Sequence, residues 1–173
     1  MRFFTMEQDQ SLPDMITLRD FDICGPRYLF TKEDAEMIND STTLYLADKS
    51  GEAAPDFIQS PVFLVSDVVK RVLDMYEDDM MFRTVSLIDK EREKILIYHM
   101  LLLSGMDMLA DKSEFYSNGS VKRLVLDSQK IGHHKVFLLN DKRFRNPFIS
   151  LEVVESLLRR NVCGIKWKEI EVR

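Results

Sequence analysis

The stretch Lys94–Leu103 (KILIYHMLLL) constrains this chain more than any other. Successive residues of a strand point to opposite faces. Here both alternating sets are apolar: Ile95, Ile97 and Leu101 on one side, Leu96, Tyr98, Met100 and Leu102 on the other. Such a strand is expected at the centre of a sheet covered on both sides. Gly105 then ends or bends it. The sheet needs neighbouring strands beside it and helices above it, and the rest of the chain supplies both.

Phe82–Ile88 precedes it across the polar turn Asp89–Glu93 and reads as a strand. Ser66 is a good N-cap, and Val68, Val69, Val72, Leu73 and Tyr76 recur as one apolar stripe, which predicts a helix over 66–77. Ser150 is a second N-cap. Behind it Val153, Val154, Leu157 and Leu158 form a stripe, with Glu152 and Glu155 early and Arg159 and Arg160 late, as the helix dipole favours. That predicts a helix over 150–161 that stops at Asn161. Thr31 caps a third helix over 32–39, with acidic residues at its start. Further strands are expected at Arg2–Phe4, Tyr28–Phe30, Thr42–Ala47, Val121–Leu126, Lys135–Leu139 and Gly164–Val172. Lys49–Pro55 is a loop, and Asn118-Gly119 is a tight turn. In the last strand Ile165 and Trp167 have the opposite parity to Ile170 and Val172. A bulge near Glu169, or an edge strand that changes face, would reconcile them.

Segments 61–88 and 147–172 share an order of Pro, apolar extended residues, capped helix and strand. They are an internal duplication or two ordinary αβ units. The expected architecture is α+β: one domain over 1–173, with a mixed or antiparallel sheet of five or more strands and about three covering helices. Residues 55–172 carry the stronger signals, and 1–54 have weak periodicity. The expected core comprises Leu64, Val69, Leu73, Val85, Ile97, Leu101, Val125, Phe137, Val154, Leu158 and Trp167.

Composition sets the broad class. The chain has 173 residues, 45% of them apolar and 31% charged, which fits a globular protein and excludes collagen-like or wholly disordered chains. Two cysteines, Cys24 and Cys163, exclude a disulfide framework and a zinc site of four thiolates. Cys163 reads as buried packing rather than a nucleophile. The net charge of −5 is unevenly spread, with −9 over residues 1–90 and +4 over residues 91–173. This asymmetry can steer a charged partner or draw two copies together as a homo-oligomer. Met1–Gln10 has no apolar leader core, and Ile95–Ser104, the longest apolar run, is far short of the roughly 20 residues a membrane span needs. A cytoplasmic location away from membranes is expected.

The common nucleotide, hydrolase and zinc-protease fingerprints are absent, and nothing assigns a cofactor, a metal site or a catalytic residue. Three histidines keep an enzyme reading open. His133 and His134 are adjacent, with Asp127 and Asp141 the nearest carboxylates in sequence; His99 sits within the apolar strand. Lys142, Arg143 and Arg145 interleave with Phe144 and Phe148, and Arg159, Arg160, Lys166 and Lys168 add to the basic count. That pattern suits phosphate or RNA, but the acidic total and the lack of an RNA-binding signature point away from nucleic acid. Glu77-Asp78-Asp79 follows the first strong helix. It is either a polar loop or an acidic contact patch for a partner.

The order of several segments resembles the bacterial immunity proteins of polymorphic toxin systems, in a branch first catalogued as a domain of unknown function. The resemblance runs through Pro55-Asp-Phe-Ile, Phe63-Leu-Val-Ser-Asp, Met106-Asp-Met-Leu-Ala-Asp-Lys-Ser113, Val136-Phe-Leu-Leu, Ser150–Leu158 and Gly164-Ile-Lys-Trp-Lys-Glu-Ile. It covers about residues 55–172. It implies a non-catalytic protein that binds a cognate toxin domain and neutralises it by stoichiometric occlusion. It brings no catalytic motif. The competing readings are a small enzyme with a site near His99 or His133/His134, and a self-assembling module whose oppositely charged regions pair.

Overall fold

The computed structural model describes residues 1–19 and 31–173. The expected strand at Tyr28–Phe30 and Cys24 lie outside the described residues. In chain order the strands are β1 (Phe3–Gln8), β2 (Ser41–Tyr45), β3 (Phe57–Ile58), β4 (Leu64–Val65), β5 (Met80–Asp89), β6 (Lys94–Leu103) and β7 (Gly105–Met106). They continue with β8 (Glu114–Phe115), β9 (Val121–Arg123), β10 (Val125–Leu126), β11 (Val136–Leu139), β12 (Phe148–Ser150) and β13 (Ile165–Val172). The helices are α1 (Asp67–Asp74), α2 (Ser128–Ile131) and α3 (Leu151–Leu158), with a 3-10 helix at Lys32–Met37 where the third helix was expected. The fold is α+β.

The strands form two mixed sheets and a small hairpin. One sheet has the order β2-β5-β6-β4-β3, the other β10-β13-β1-β12-β11-β7, and β8 pairs with β9 around the Asn118-Gly119 turn. The chain passes from the first sheet to the second at Gly105. A Cβ there would lie 3.3 Å from the Asn140 Cα, so glycine permits the close pairing of β7 with β11.

The two segments of shared order are equivalent in topology. β4 and β5 both flank β6 antiparallel, with α1 between them in sequence. β12 and β13 both flank β1 antiparallel, with α3 between them. Each is a split β-α-β unit. The helices α1 and α3 meet between the two sheets in one core, with Val69, Val72 and Leu73 from the first and Val153, Val154 and Leu157 from the second. The outer face of the five-stranded sheet has a second core around Leu44, Val85, Leu87 and Met100, to which Ala35 and Ile38 belong. The outer face of the six-stranded sheet has a third, around Phe3, Phe137, Phe148 and Ile131. β1 lies in the middle of its sheet, so the N-terminal residues are integral to the fold.

Several expectations are corrected. β13 has no bulge: its register with β1 is regular from Ile165 to Ile170. The parity change arises because both faces are covered, with Ile165 and Trp167 against the inter-sheet core and Ile170 against the third. Val121–Leu126 is two short strands broken at Leu124. Of the expected core, Leu158 is 53% exposed and Ile97 51% exposed, and Trp167 is half-buried. Leu158 lies about 120° around the helix from the midline of Val153 and Leu157, outside the buried arc. Cys163 is exposed, not buried. Its thiol is pushed up by local desolvation and then by Asp56, whose carboxylate accepts the Cys163 backbone N–H at 2.7 Å.

Candidate functional site

The inner face of the five-stranded sheet is only half covered. The register places Phe82 opposite Leu101, Thr84 opposite His99, Ser86 opposite Ile97 and Ile88 opposite Ile95. The parallel neighbour β2 adds Ser41, Thr43 and Tyr45 to the same face. Phe82, Leu101 and Leu103 belong to the inter-sheet core. Beyond His99 the sheet continues past the helices. Ile95 is 64% exposed, and Ile97, Tyr45, Thr43 and Thr84 are exposed too. Val68, on the outward side of α1, is also exposed. The result is an apolar row of Ile97, Ile95, half-buried Ile88 and Tyr45 framed by hydroxyls. The Lys90 ammonium sits over the Tyr45 ring at 4.4 Å.

His99 marks the boundary. Its Nε2 lies 3.5 Å from Asp67 at the start of α1. Burial, and then the nearby Lys70 ammonium, hold its pKa below the ordinary value of 6.5, against the pull of Asp67. Burial therefore favours the neutral form of the ring beneath the start of α1.

The acidic triplet divides. Glu77 is 8% exposed, so it is not part of a surface patch. Its carboxylate accepts the Lys135 N–H at 2.9 Å and the Val136 N–H at 3.5 Å, and its other oxygen lies 3.4 Å from His134 Nδ1. It ties the chain after α1 to the start of β11, a buried carboxylate satisfied by backbone donors. Asp79 pairs with Lys32, and Asp78 is exposed.

His133 and His134 stack with centroids 4.5 Å apart. Neither carboxylate nearest in sequence serves them: Asp127 caps α2, accepting the Gln129 N–H at 2.8 Å, and Asp141 is held by Arg143. The partner of His134 is Glu77, remote in sequence. Among the described residues no group of three His, Cys, Asp or Glu side chains is placed to hold a metal ion. A cavity of about 710 Å³ opens at the ends of β7 and β11, lined by Gly105, Asn140, Asp141, Lys142, Phe144 and Arg145 among others, and none of the histidines lines it. The basic cluster also divides: Arg143 lies over the Phe115 ring at 3.8 Å, Phe148 is buried, and Arg160 donates to the Ser156 carbonyl.

No family model matches the chain, and no curated protein matches it in sequence. Among the described residues no helix is long and apolar enough to cross a membrane.

The open sheet face escaped the sequence reading because apolar alternation shows which residues can share a face, and not how far the covering helices reach. The signal for Glu77 is equally hidden, since the amides that bind it belong to Lys135 and Val136, remote in sequence.

Proposed function

We propose that this chain is an immunity protein, which binds a cognate toxin domain in the cytoplasm and neutralises it by stoichiometric occlusion. The resemblance over residues 55–172 motivates the reading. The observation that carries it is the apolar row of Ile95, Ile97 and Tyr45, left exposed on a sheet whose other face carries the second core. Exposed apolar patches framed by polar residues mark interaction sites, and a stable interface takes about 800 Å² from each partner. Asp40, paired with Arg83, precedes this face at the start of β2, and Asp67, paired with Arg71, stands beside His99. Carboxylates at the rim of the face favour a basic toxin. The reading assigns no catalytic residue and no cofactor.

The test uses the protein as bait for the polymorphic-toxin domain encoded beside its gene, followed by growth rescue of cells expressing that domain. Stoichiometric capture with rescue supports the proposal. No capture and no rescue, with folded bait and active toxin, overturns it for that pairing.

A further inference from the structure

Among the described residues the outer side of β13 in the six-stranded sheet is only partly paired. Asp9 donates its N–H to the Gly164 carbonyl at 2.9 Å, which sets the hydrogen-bonding phase between β1 and β13. Gly164, Lys166 and Lys168 therefore turn their backbone groups toward β1, and Ile165 and Trp167 turn theirs outward. On that outer side β10 pairs only at Glu171 and Val172. Among the described residues nothing bonds the outward groups of Ile165 and Trp167. The edge carries no bulge and contains no proline.

The side chains describe what fits there. Ile165 and Trp167 present half-buried apolar surface on the inner face. Lys166 and Lys168 are exposed on the outer face. Glu7 and Asp9 lie near Lys166 but are held by neutral donors, Glu7 by Thr5 and Asn146 and Asp9 by Ser11, while Glu169 pairs with Arg2 and Glu171 with Arg123 and Arg173.

A second copy paired about the middle of this edge is disfavoured by charge. In any antiparallel register with its two-fold axis at Lys166, Trp167 or Lys168, a lysine stands opposite a lysine, which is repulsive. We propose that the open edge of β13 at Ile165–Lys168 is a strand-addition site for an extended protein segment that alternates acidic and apolar residues. The added backbone takes the outward N–H and C=O groups, its acids face Lys166 and Lys168, and its apolar residues extend the cover over Ile165 and Trp167. This goes beyond the immunity reading and does not rest on it.

Trp167 is the chain's single tryptophan, so its fluorescence reports the site directly. The experiment titrates the full chain with a fluorescent peptide alternating glutamate and valine. It repeats this with a lysine–valine peptide, and with a glutamate–valine peptide N-methylated on the amides that would face β13. The expected result is saturable binding of the first peptide with a Trp167 emission shift. It should weaken at least about tenfold in the Lys166→Glu, Lys168→Glu double variant, be lost on N-methylation, and pass to the lysine–valine peptide in that variant. Circular dichroism verifies the variant's fold, and Lys166→Gln with Lys168→Gln replaces it if the fold is lost. Absence of binding overturns the proposal. So does binding that survives N-methylation or charge removal, and so does self-association of the chain through this edge in sedimentation.

Discussion

Glu77 owes its burial to the donors that converge on it from the start of β11. Truncating such a group leaves buried amides without an acceptor, at a cost of about 1–3 kcal/mol. Glu77→Ala is expected to lower the unfolding free energy by that much in urea, and Asp78→Ala to leave it nearly unchanged. Equal effects would refute the distinction. His99 supplies a pH dependence. Its folded-state pKa lies below 6.5, so between that lowered value and 6.5 the unfolded chain binds more protons. Its contribution to stability is complete above pH 6.5 and is lost as the pH falls through the folded value. The urea midpoint should therefore fall between pH 7.5 and 5, and His99→Gln should flatten that slope. An unchanged slope would show that another group controls it.

At the scale of elements, α1 and α3 are short, and their stability comes from the core they share rather than from propensity. Leu73 and Leu157 are fully buried there, whereas Leu158 faces solvent. Leu73→Ala and Leu157→Ala should each cost about 2–5 kcal/mol, and Leu158→Ala should stay within about 0.5 kcal/mol. Denaturation of the three variants side by side checks the rotation of α3, and a large loss at Leu158 would contradict it. The capping serines are not equivalent. Ser66 accepts the Val69 N–H at 3.4 Å, whereas the buried Ser150 hydroxyl has no partner. Both helices nevertheless begin directly after a serine, because the cap residue's extended backbone starts the turn in each case.

At the scale of the whole molecule, two sheets enclose one pair of helices, and that pair is too short to cover the longer strands. The uncovered ends of β5 and β6 are what the proposed toxin contact uses. Ile95→Lys with Ile97→Lys is expected to abolish capture of the toxin domain while leaving the thermal midpoint within a few degrees, since both side chains already face solvent. Retained capture would move the interface elsewhere on the surface. Loss of fold would instead show that the row is part of the core.

Local chemistry alone determined much of this protein. Period-two and helical patterning placed β5, β6, α1, α3 and β13. The Asn118-Gly119 turn was equally legible, whereas α3 ends at Leu158, three residues before the expected stop at Asn161, which adopts φ 54° in the turn that follows. These features depend on residues within a few positions of each other, where backbone sterics and side-chain spacing act directly. Only the tertiary structure decided which apolar residues are buried. It exposed Ile97 and Leu158, divided the strands between two sheets, placed Glu77 under β11 and, among the described residues, left the outer edge of β13 unpaired at Ile165–Lys168. Burial and pairing depend on which remote segment arrives at a surface and how far it extends. Alternation within one strand carries no information about the length of its cover.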